Sequence, residues 1–361
     1  MALHVSSSDA SDSNNDLDEF AHIRRFKERI NFSFDITDFS FKEKFRLSKV
    51  SVEYLINRIG ARIEHPTPRN KALTPCQQIL CTLHWMGSGS QYHVSGDNHG
   101  VSKATIHRCI KRVTTAIVNE MFGIEVRWPE NSDAIPHLFR ELANIPRIGG
   151  VVDGSLIPID SPQQHEYMYV DRKGGHSINT MVVCGPNLEF FYASARWPGS
   201  VHDARVLRNS TLAQQWENGW RPFPNAILLG DSAYAMKKWL ITPNIPVEIP
   251  ITEAVMRFLR AFKSTRRLVE NALGVLKEKF PCLNHLRVQP LKACHIFLAC
   301  VTLHNLEKRL GVQYYIPYYN PVDNGDNERD NEDNDGRDGD GNHAIDPEAI
   351  EVLRELIQIY T

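Results

Sequence analysis

Three acidic residues lie in or beside apolar segments, where an isolated charge is unfavourable. Asp153 interrupts a long apolar run, Asp231 directly follows another, and Glu270 lies in a segment with the spacing of an amphipathic helix. A carboxylate among apolar residues is costly unless it is paired or bound to a metal ion. Carboxylate oxygens are hard ligands that suit Mg²⁺ or Mn²⁺. We therefore predict that the three acids form one divalent-metal site.

Each of these acids also has an ordinary structural explanation. Asp153 could belong to a hairpin or cap a local turn, and Asp231 could be the N-cap of a following helix. Glu270 could be an exposed acid on a helix surface. For each residue alone these explanations are as good as a metal site. The metal-site hypothesis therefore depends on all three side chains meeting at one place.

A site built from three carboxylates is suited to phosphodiester cleavage. That reaction needs charge neutralised on the attacking and leaving oxygens, which two metal ions about 3.5–4 Å apart supply in many nucleases. Asp203 is a candidate for a group behind the metal ligands or for a further ligand, although an acid at a helix N-terminus also complements the helix dipole. The adjacent His202 is a candidate contact for the leaving DNA strand, although a lone histidine is more often structural. Arg172 and Lys173 are candidate phosphate contacts near Asp153, or else belong to a solvated hairpin tip.

Alternating strands and helices are needed to bring these side chains together. Apolar runs, helical spacing and turn residues mark the segments. The predicted elements, in order, are a strand at 151–159, a hairpin over 176–196, a helix at 201–216, a strand at 226–229, a linker with short helices at 232–263, the Glu270 helix and an apolar helix at 290–310. This order predicts an α/β fold in which helices flank a mixed sheet.

Residues 74–118 have the pattern of a helix–turn–helix. Thr74, followed by a proline, predicts the start of one helix, and Ser102 predicts the cap of a second, basic helix. A basic helix in this position is suited to the major groove of DNA. The predicted DNA contacts on it are Lys103, His107, Arg108, Lys111 and Arg112. The alternative is an all-helical subdomain whose basic face is only solvated.

The charge of the chain is unevenly distributed. Residues 1–20 contain five acids and no Lys or Arg, while residues 322–345 and 346–361 have net charges of -7 and -3. Because the whole chain has a net charge of only -2, residues 21–321 have a net charge of +13. A basic body between acidic ends is typical of a protein that binds polyanions, although many soluble bodies are also basic.

Composition also bears on the environment of the chain. Seven cysteines at irregular spacing in a chain of 361 residues favour reduced thiols and an intracellular protein. The sequence contains no run of 18 or more apolar residues, so we expect no membrane-spanning helix.

A helix near the start of the chain is predicted to begin after Ser48 and to end at Gly60.

The patterns divide the chain into five regions. The predicted regions are a disordered acidic N-terminus at 1–20, a helical domain at 21–147 with the helix–turn–helix at 74–118, a catalytic domain at 148–312, a disordered acidic segment at 313–345 and a short C-terminal helix at 346–361.

Several segments together resemble the transposases of the PIF/Harbinger superfamily and the Harbinger transposase-derived nucleases of animals. The matching segments appear in the family's order and cover roughly residues 40–310. They include VVDGSLIPI, SINTMVVC, WPGSVHDARVLRNS, LLGDSAY, KKWLITP, TRRLVENALGVLKEKFPCL and VTLHN.

The resemblance implies an RNase H-like fold with a DDE triad on Asp153, Asp231 and Glu270. It also implies a divalent cofactor, Mg²⁺ or Mn²⁺, and a separately encoded Myb-like DNA-binding partner that helps nuclear entry. We therefore expect a nuclear protein with a cytoplasmic pool and no membrane association. Self-association into a homo-oligomer is left open.

The expected function is a metal-dependent DNA endonuclease of the transposase type. Such an enzyme hydrolyses phosphodiester bonds, with strand transfer to a DNA 3′-hydroxyl as a further outcome. The alternative is a catalytically silent, domesticated DNA-binding or chromatin adaptor protein that keeps the fold.

Overall fold

The computed structural model describes residues 28–29, 34–67, 71–311 and 346–361. The two segments predicted to be disordered, residues 1–20 and 313–345, lie outside this part of the chain. Among the described residues no helix is both long and apolar enough to span a membrane.

Helices dominate the first part of the described chain and then alternate with strands. The helices are α1 (Asp38–Phe45), α2 (Lys49–Ile63), α3 (Pro75–Ser88), α4 (Tyr92–His99), α5 (Lys103–Glu125), α6 (Ile135–Ala143), α7 (Asp203–Arg208), α8 (Thr211–Glu217), α9 (Glu253–Lys279), α10 (Pro290–Arg309) and α11 (Pro347–Gln358). The strands are β1 (Ile148–Pro158), β2 (Ser177–Cys184), β3 (Phe190–Pro198), β4 (Ile227–Leu229) and β5 (Leu240–Ile241).

The strands form one mixed sheet in the order β3-β2-β1-β4-β5. β2 is antiparallel to both of its neighbours, β1 and β3. β4 runs parallel to β1, and β5 runs parallel to β4. The predicted α/β fold with a mixed sheet flanked by helices is confirmed, including the hairpin that β2 and β3 form.

Both faces of the sheet are buried, and the alternation of side chains along each strand decides which face a residue joins. Val151 and Leu229 belong to the same core as Val269 of α9, which also includes the helical region. Val152 and Leu228 point to the opposite face, where a second cluster forms against α7 and α8. β1 therefore presents residues of odd number to α9.

Helix starts follow the capping chemistry that the sequence predicts. The side chains of Ser48, Thr74 and Ser102 each accept a hydrogen bond from a backbone N–H in the first turn of α2, α3 and α5. At Thr74 the bond is reciprocal, because the side chain of Gln77 accepts from the Thr74 N–H. The three predicted helix starts are confirmed.

Several predicted boundaries are wrong. Gly60 does not end α2, because it is buried within the helix, which continues to Ile63. The helix predicted over 201–216 is two helices, α7 and α8, with Ser210 capping the second. The linker predicted at 232–263 contains β5 and the first part of α9, a single helix of 27 residues.

The helical region and the sheet share one hydrophobic core. Along it α10 packs against both α5 and β3. Arg309 of α10 also pairs with Glu125 of α5 at 2.9 Å. The helical region is thereby held in a fixed position relative to the sheet.

Candidate functional site

The register of two parallel strands places Asp153 beside Asp231. Val151 on β1 lies opposite Leu229 on β4. Asp153 lies two residues after Val151, and Asp231 lies two residues after Leu229. Because side chains alternate along a strand, both aspartates point to the same face of the sheet. That face is the one covered by α9. The chain thus brings together two acids that are 78 positions apart in the sequence.

Glu270 reaches this place from α9. The neighbours Val269 and Ala272 are buried against the sheet, which fixes the rotation of the helix. Glu270 lies at the edge of that buried stripe, with 55% of its side chain exposed, against 39% for Asp231 and 17% for Asp153. The three carboxylates therefore form a series from the interior to the surface, open on the side of Glu270.

The guanidinium group of Arg266 lies among the three acids. Its terminal nitrogens are 3.6 Å from Asp153 Oδ1, 3.3 Å from Asp231 Oδ1 and 3.8 Å from Glu270 Oε1. All three acidic side chains predicted to share a site are thus within ion-pair distance of one group. Within the described residues no three His, Cys, Asp or Glu side chains are close enough to hold a metal ion as they stand. The carboxylates surround an internal cation instead.

The donor set fits a divalent metal. Three carboxylates supply hard oxygen ligands, and they already surround one positive charge at ion-pair distances. Glu270 leaves the site open to solvent. The residues that would hold the ion are Asp153, Asp231 and Glu270.

Burial and neighbouring charges alter the acidity of the site. Burial raises the pKa of the Asp153 carboxyl from 3.8 to about 7, although the Arg266 charge opposes the rise. The charges of Asp231 and Glu270 raise this pKa further. Burial, together with the charges of Asp203, Asp153 and Asp231, also raises the pKa of the Tyr234 phenol. The Asp153 carboxyl therefore titrates near neutral pH.

This raised pKa predicts a pH dependence of stability in the presence of EDTA. Between about pH 4 and pH 7 the unfolded chain has lost the Asp153 proton while the folded protein retains it, so the free energy of unfolding falls as pH rises. The slope contributed by this one group is at most about 1.4 kcal/mol per pH unit and ends above about pH 7.

Chemical denaturation from pH 5 to pH 8 measures the effect. Asp153→Asn removes the titrating group, so the stability of the native protein minus that of the variant is expected to fall with rising pH. A difference that stays constant over this range would contradict the assigned environment of Asp153.

Asp203 lies against Gly154, the residue after Asp153, on the side of β1 where α7 packs, and Gly154 makes this position possible. A Cβ atom on Gly154 would be 2.5 Å from the Asp203 carboxyl carbon, so only glycine fits between Asp153 and α7. Asn179 on β2 donates a hydrogen bond of 2.6 Å to Asp203 Oδ1. Asp203 is the first residue of α7, whereas the neighbouring His202 is exposed and makes no capping hydrogen bond.

A basic side chain, Lys277, extends the site along β1. Its Nζ donates to Ser155 Oγ at 3.0 Å, and Ser155 shares the α9-facing row with Asp153. Burial lowers the pKa of Lys277, as does the charge of Lys173. Arg172 and Lys173 lie in an exposed turn whose backbone is held by the Asp171 carboxylate. The predicted phosphate contact Lys173 is thus electrostatically coupled to the site through Lys277.

The five predicted DNA contacts on α5 divide into two groups. Lys103, Arg108 and Lys111 are exposed. Arg112 is half-buried and donates to Gln78 Oε1 at 2.7 Å, which gives it an internal partner. His107 is also half-buried, 2.7 Å from Lys292 Nζ, and burial followed by the Lys292 charge lowers its pKa.

The exposed basic residues line two clefts. Arg108 and Lys111 line a groove of about 630 Å³ that also includes Arg62 of α2. Lys103 instead lines a smaller cleft of about 250 Å³ together with Tyr92 and Arg287. Residues 74–118 contain three helices, α3, α4 and α5, where the sequence predicted two, because the segment before Gly100 is itself helical.

Two functional candidates were missed by the sequence analysis. Arg266 lies one helical turn before Glu270, a spacing that places both on one side of a helix and could have indicated it. Tyr234, whose buried hydroxyl has no hydrogen-bond partner among the described residues, gave no such signal because it follows Asp231 in an irregular segment.

Comparison with known proteins gives the family of the segment that contains these residues. Residues 152–305 match the family described as DDE superfamily endonuclease, a segment that contains Asp153, Asp231 and Glu270. This segment is therefore a domain of the DDE superfamily. No solved structure matches the chain.

Similar curated proteins give the family within that superfamily. A rat protein named "Putative nuclease HARBI1" is 34% identical over 90% of each chain, and the human protein of that name is 34% identical over 78% of this chain and 81% of its own. The Arabidopsis "Protein ALP1-like" is 25% identical over 74% and 70%. The chain belongs to the family of Harbinger transposase-derived nucleases.

Proposed function

We propose that the chain is a metal-dependent DNA endonuclease that cleaves phosphodiester bonds through Asp153, Asp231 and Glu270. The observation that carries this proposal is that the three carboxylates, from β1, the segment after β4 and α9, all lie within 3.8 Å of one guanidinium group. The family match supports it, because the described class of endonuclease is named for two aspartates and a glutamate.

Each residue of the site has a role that follows from its position. Asp153 and Asp231 provide carboxylates from a rigid sheet, and Glu270 closes the set from the more exposed side. When bound there, Mg²⁺ or Mn²⁺ would neutralise charge on the attacking and leaving oxygens of the phosphodiester. Lys277, held at Ser155, would place a positive charge beside the scissile phosphate.

Asp203 is proposed to act as a positioning residue. It abuts Gly154, the residue after Asp153, and its own orientation is fixed by Asn179. A negative charge in this place favours cations in the site. It also adds to the effect of burial, which raises the pKa of the Tyr234 phenol.

We further propose that the fold is RNase H-like and that α4 and α5, in place of the predicted pair α3 and α5, form a helix–turn–helix. The first rests on the strand order and on the mixed directions of the strands. The second rests on the three-residue turn between α4 and α5 and on the exposed basic residues of α5. Four further expectations stay predictions: strand transfer, a Myb-like partner, a homo-oligomer and a nuclear location.

The groove on α5 is proposed to contact the DNA backbone. Its exposed cations, Arg108 and Lys111, present positive charge without a fixed reading of base edges. Their combined substitution by alanine is expected to weaken duplex binding several-fold for all sequences and to reduce the salt slope by about 0.9 per lost phosphate contact.

Fluorescence anisotropy over a range of salt concentrations measures this effect. Arg127→Ala is the matched control, since this exposed arginine lies beyond the C-terminus of α5 and pairs with Glu130. If the Arg108/Lys111 variant and the control keep the same salt slope as the native protein, the groove is not the DNA surface.

Incubation of supercoiled plasmid with the full chain and Mg²⁺ or Mn²⁺ tests the proposed activity. Open circular and linear products are expected, and EDTA is expected to suppress them. Tight, salt-dependent DNA binding without cleavage at any metal concentration would contradict the proposal and favour a DNA-binding adaptor.

A further inference from the structure

Arg266 is placed where a metal would have to bind. Its guanidinium is within 3.8 Å of a carboxylate oxygen from each of the three acids. Its side chain is 18% exposed, so the charge is held in a partly desolvated position. A guanidinium remains protonated at every ordinary pH. The acidic site therefore contains a permanent cation supplied by the chain itself.

A divalent metal in this site and the guanidinium of Arg266 would draw on the same three carboxylates. A carboxylate oxygen that ligates a metal at about 2.0–2.6 Å is no longer free to pair with Arg266 in the observed arrangement. Two positive charges a few ångströms apart would also repel each other strongly in this partly buried place. The present position of Arg266 therefore opposes a metal ion held by all three acids.

We propose that Arg266 is an internal counter-cation that a divalent metal displaces from Asp153, Asp231 and Glu270. This inference rests on the proposed metal site, and it states that Arg266 competes with the metal ion for the three carboxylates. Without metal, Arg266 offsets the mutual repulsion of three clustered acids. With metal, it must move away from them, and the long flexible side chain permits that movement.

The way in which Arg266 is held supports displacement over a permanent pairing. The three contacts are 3.3 to 3.8 Å long, longer than the close contacts of a bidentate arginine–carboxylate pair. Its Nε is buried and has no hydrogen-bond partner among the described residues. An unsatisfied buried donor is unfavourable, so the observed position is less strongly held than three ion pairs would suggest.

Metal binding to Arg266→Met tests the proposal, with Arg267→Met as a matched control. Both substitutions remove one positive charge from adjacent positions of α9, but Arg267 is exposed. In isothermal titration of EDTA-treated full chain with Mn²⁺, Arg266→Met is expected to bind about tenfold more tightly, or about 1.4 kcal/mol. Arg267→Met is expected to stay within about twofold of the native protein. Equal or weaker binding by Arg266→Met would overturn the proposal.

Thermal unfolding gives a second readout of the same competition. In EDTA, Arg266→Met is expected to have a lower melting temperature than the native protein, because its acids repel one another without a counter-cation. The rise in melting temperature on adding Mn²⁺ is expected to be larger than in the native protein. A variant whose melting temperature in EDTA equals that of the native protein would speak against the counter-cation.

A measurement on the native protein keeps the proposal testable if the variant does not fold. With ¹⁵N-labelled arginine, the Arg266 Nε–H resonance is expected to shift during a Mg²⁺ titration, in step with saturation of the site. The Arg267 resonance serves as the internal reference. An Arg266 signal that stays in place while the site saturates would overturn the displacement.

The two proposals fail in different ways. If the native protein binds Mn²⁺ and Arg266 is displaced but plasmid remains intact, the endonuclease proposal fails and the counter-cation stands. If plasmid is cut and Arg266→Met binds Mn²⁺ no more tightly than the native protein, the counter-cation fails alone.

Discussion

Asp153→Asn is expected to lower the rate of plasmid nicking by at least about a thousandfold. Asparagine keeps the shape of the side chain and one oxygen, but it removes the charge at the most buried of the three carboxylates. Bound metal ions contribute several kcal/mol of transition-state stabilisation in such reactions. If the variant loses about 4 kcal/mol of this stabilisation, the rate falls by about three powers of ten.

The fold is expected to survive this substitution. Burial already disfavours the ionised form of Asp153, so a neutral amide removes a cost at neutral pH instead of adding one. Circular dichroism and DNA affinity should therefore match the native protein.

Asp160→Asn is the matched control for the nicking assay. Asp160 follows the end of β1, is exposed and pairs with His285 at 2.9 Å. It lies seven residues beyond Asp153, on the order of 20 Å along an extended chain. Nicking by Asp153→Asn at the rate of Asp160→Asn would show that the activity does not depend on the acidic site.

Gly154→Ala is expected to destabilise the protein by about 1–3 kcal/mol and to reduce nicking at least about tenfold. The new Cβ would be 2.5 Å from Asp203, whose carboxylate is held by Asn179. Either that hydrogen bond breaks or β1 moves at the residue next to Asp153. Both outcomes disturb the geometry of the site.

Gly274→Ala provides the matched control with the opposite expected sign. No atom lies within 4 Å of a Cβ at this exposed position of α9. Alanine is about 1 kcal/mol more favourable than glycine inside a helix, so this variant should be more stable. Denaturant unfolding compares the two. Equal effects of the two substitutions would mean that the close approach of Asp203 to β1 has no structural importance.

The sequence predicted the site best where local rules apply. Asp153 and Asp231 both stand out as acids in or after apolar strands, and strand alternation alone assigns each to a face once the strands are known. The caps at Ser48, Thr74 and Ser102 were predicted for the same reason, since a cap depends on neighbouring residues.

Features that depend on residues far apart could not be predicted. His107 and Arg112 looked like surface cations of α5, yet Lys292 and Gln78 give them internal partners. These contacts join residues 185 and 34 positions apart. Sequence spacing along α5 cannot distinguish such a half-buried side chain with an internal partner from a fully exposed cation.

The long helix α9 shows a second limit. Its first part, from Glu253, follows a proline-rich segment that favours a loop. Packing of Phe258 and Phe262 into the core stabilises the helix there and overrides the local pattern. Arg266 therefore lies in the middle of α9. Since α9 packs across the sheet, the Arg266 guanidinium lies near acids from three different parts of the chain.

Iron-directed cleavage of the polypeptide would test most directly whether the three acids hold one cation. Fe²⁺ bound in place of Mg²⁺ generates hydroxyl radicals with ascorbate and peroxide, and these cut the chain close to the ion. The metal site predicts cuts near residues 153, 231 and 270, suppressed by excess Mg²⁺ and lost in Asp153→Asn. Cuts confined to other parts of the chain, or cuts at these three places that persist in Asp153→Asn, would contradict it.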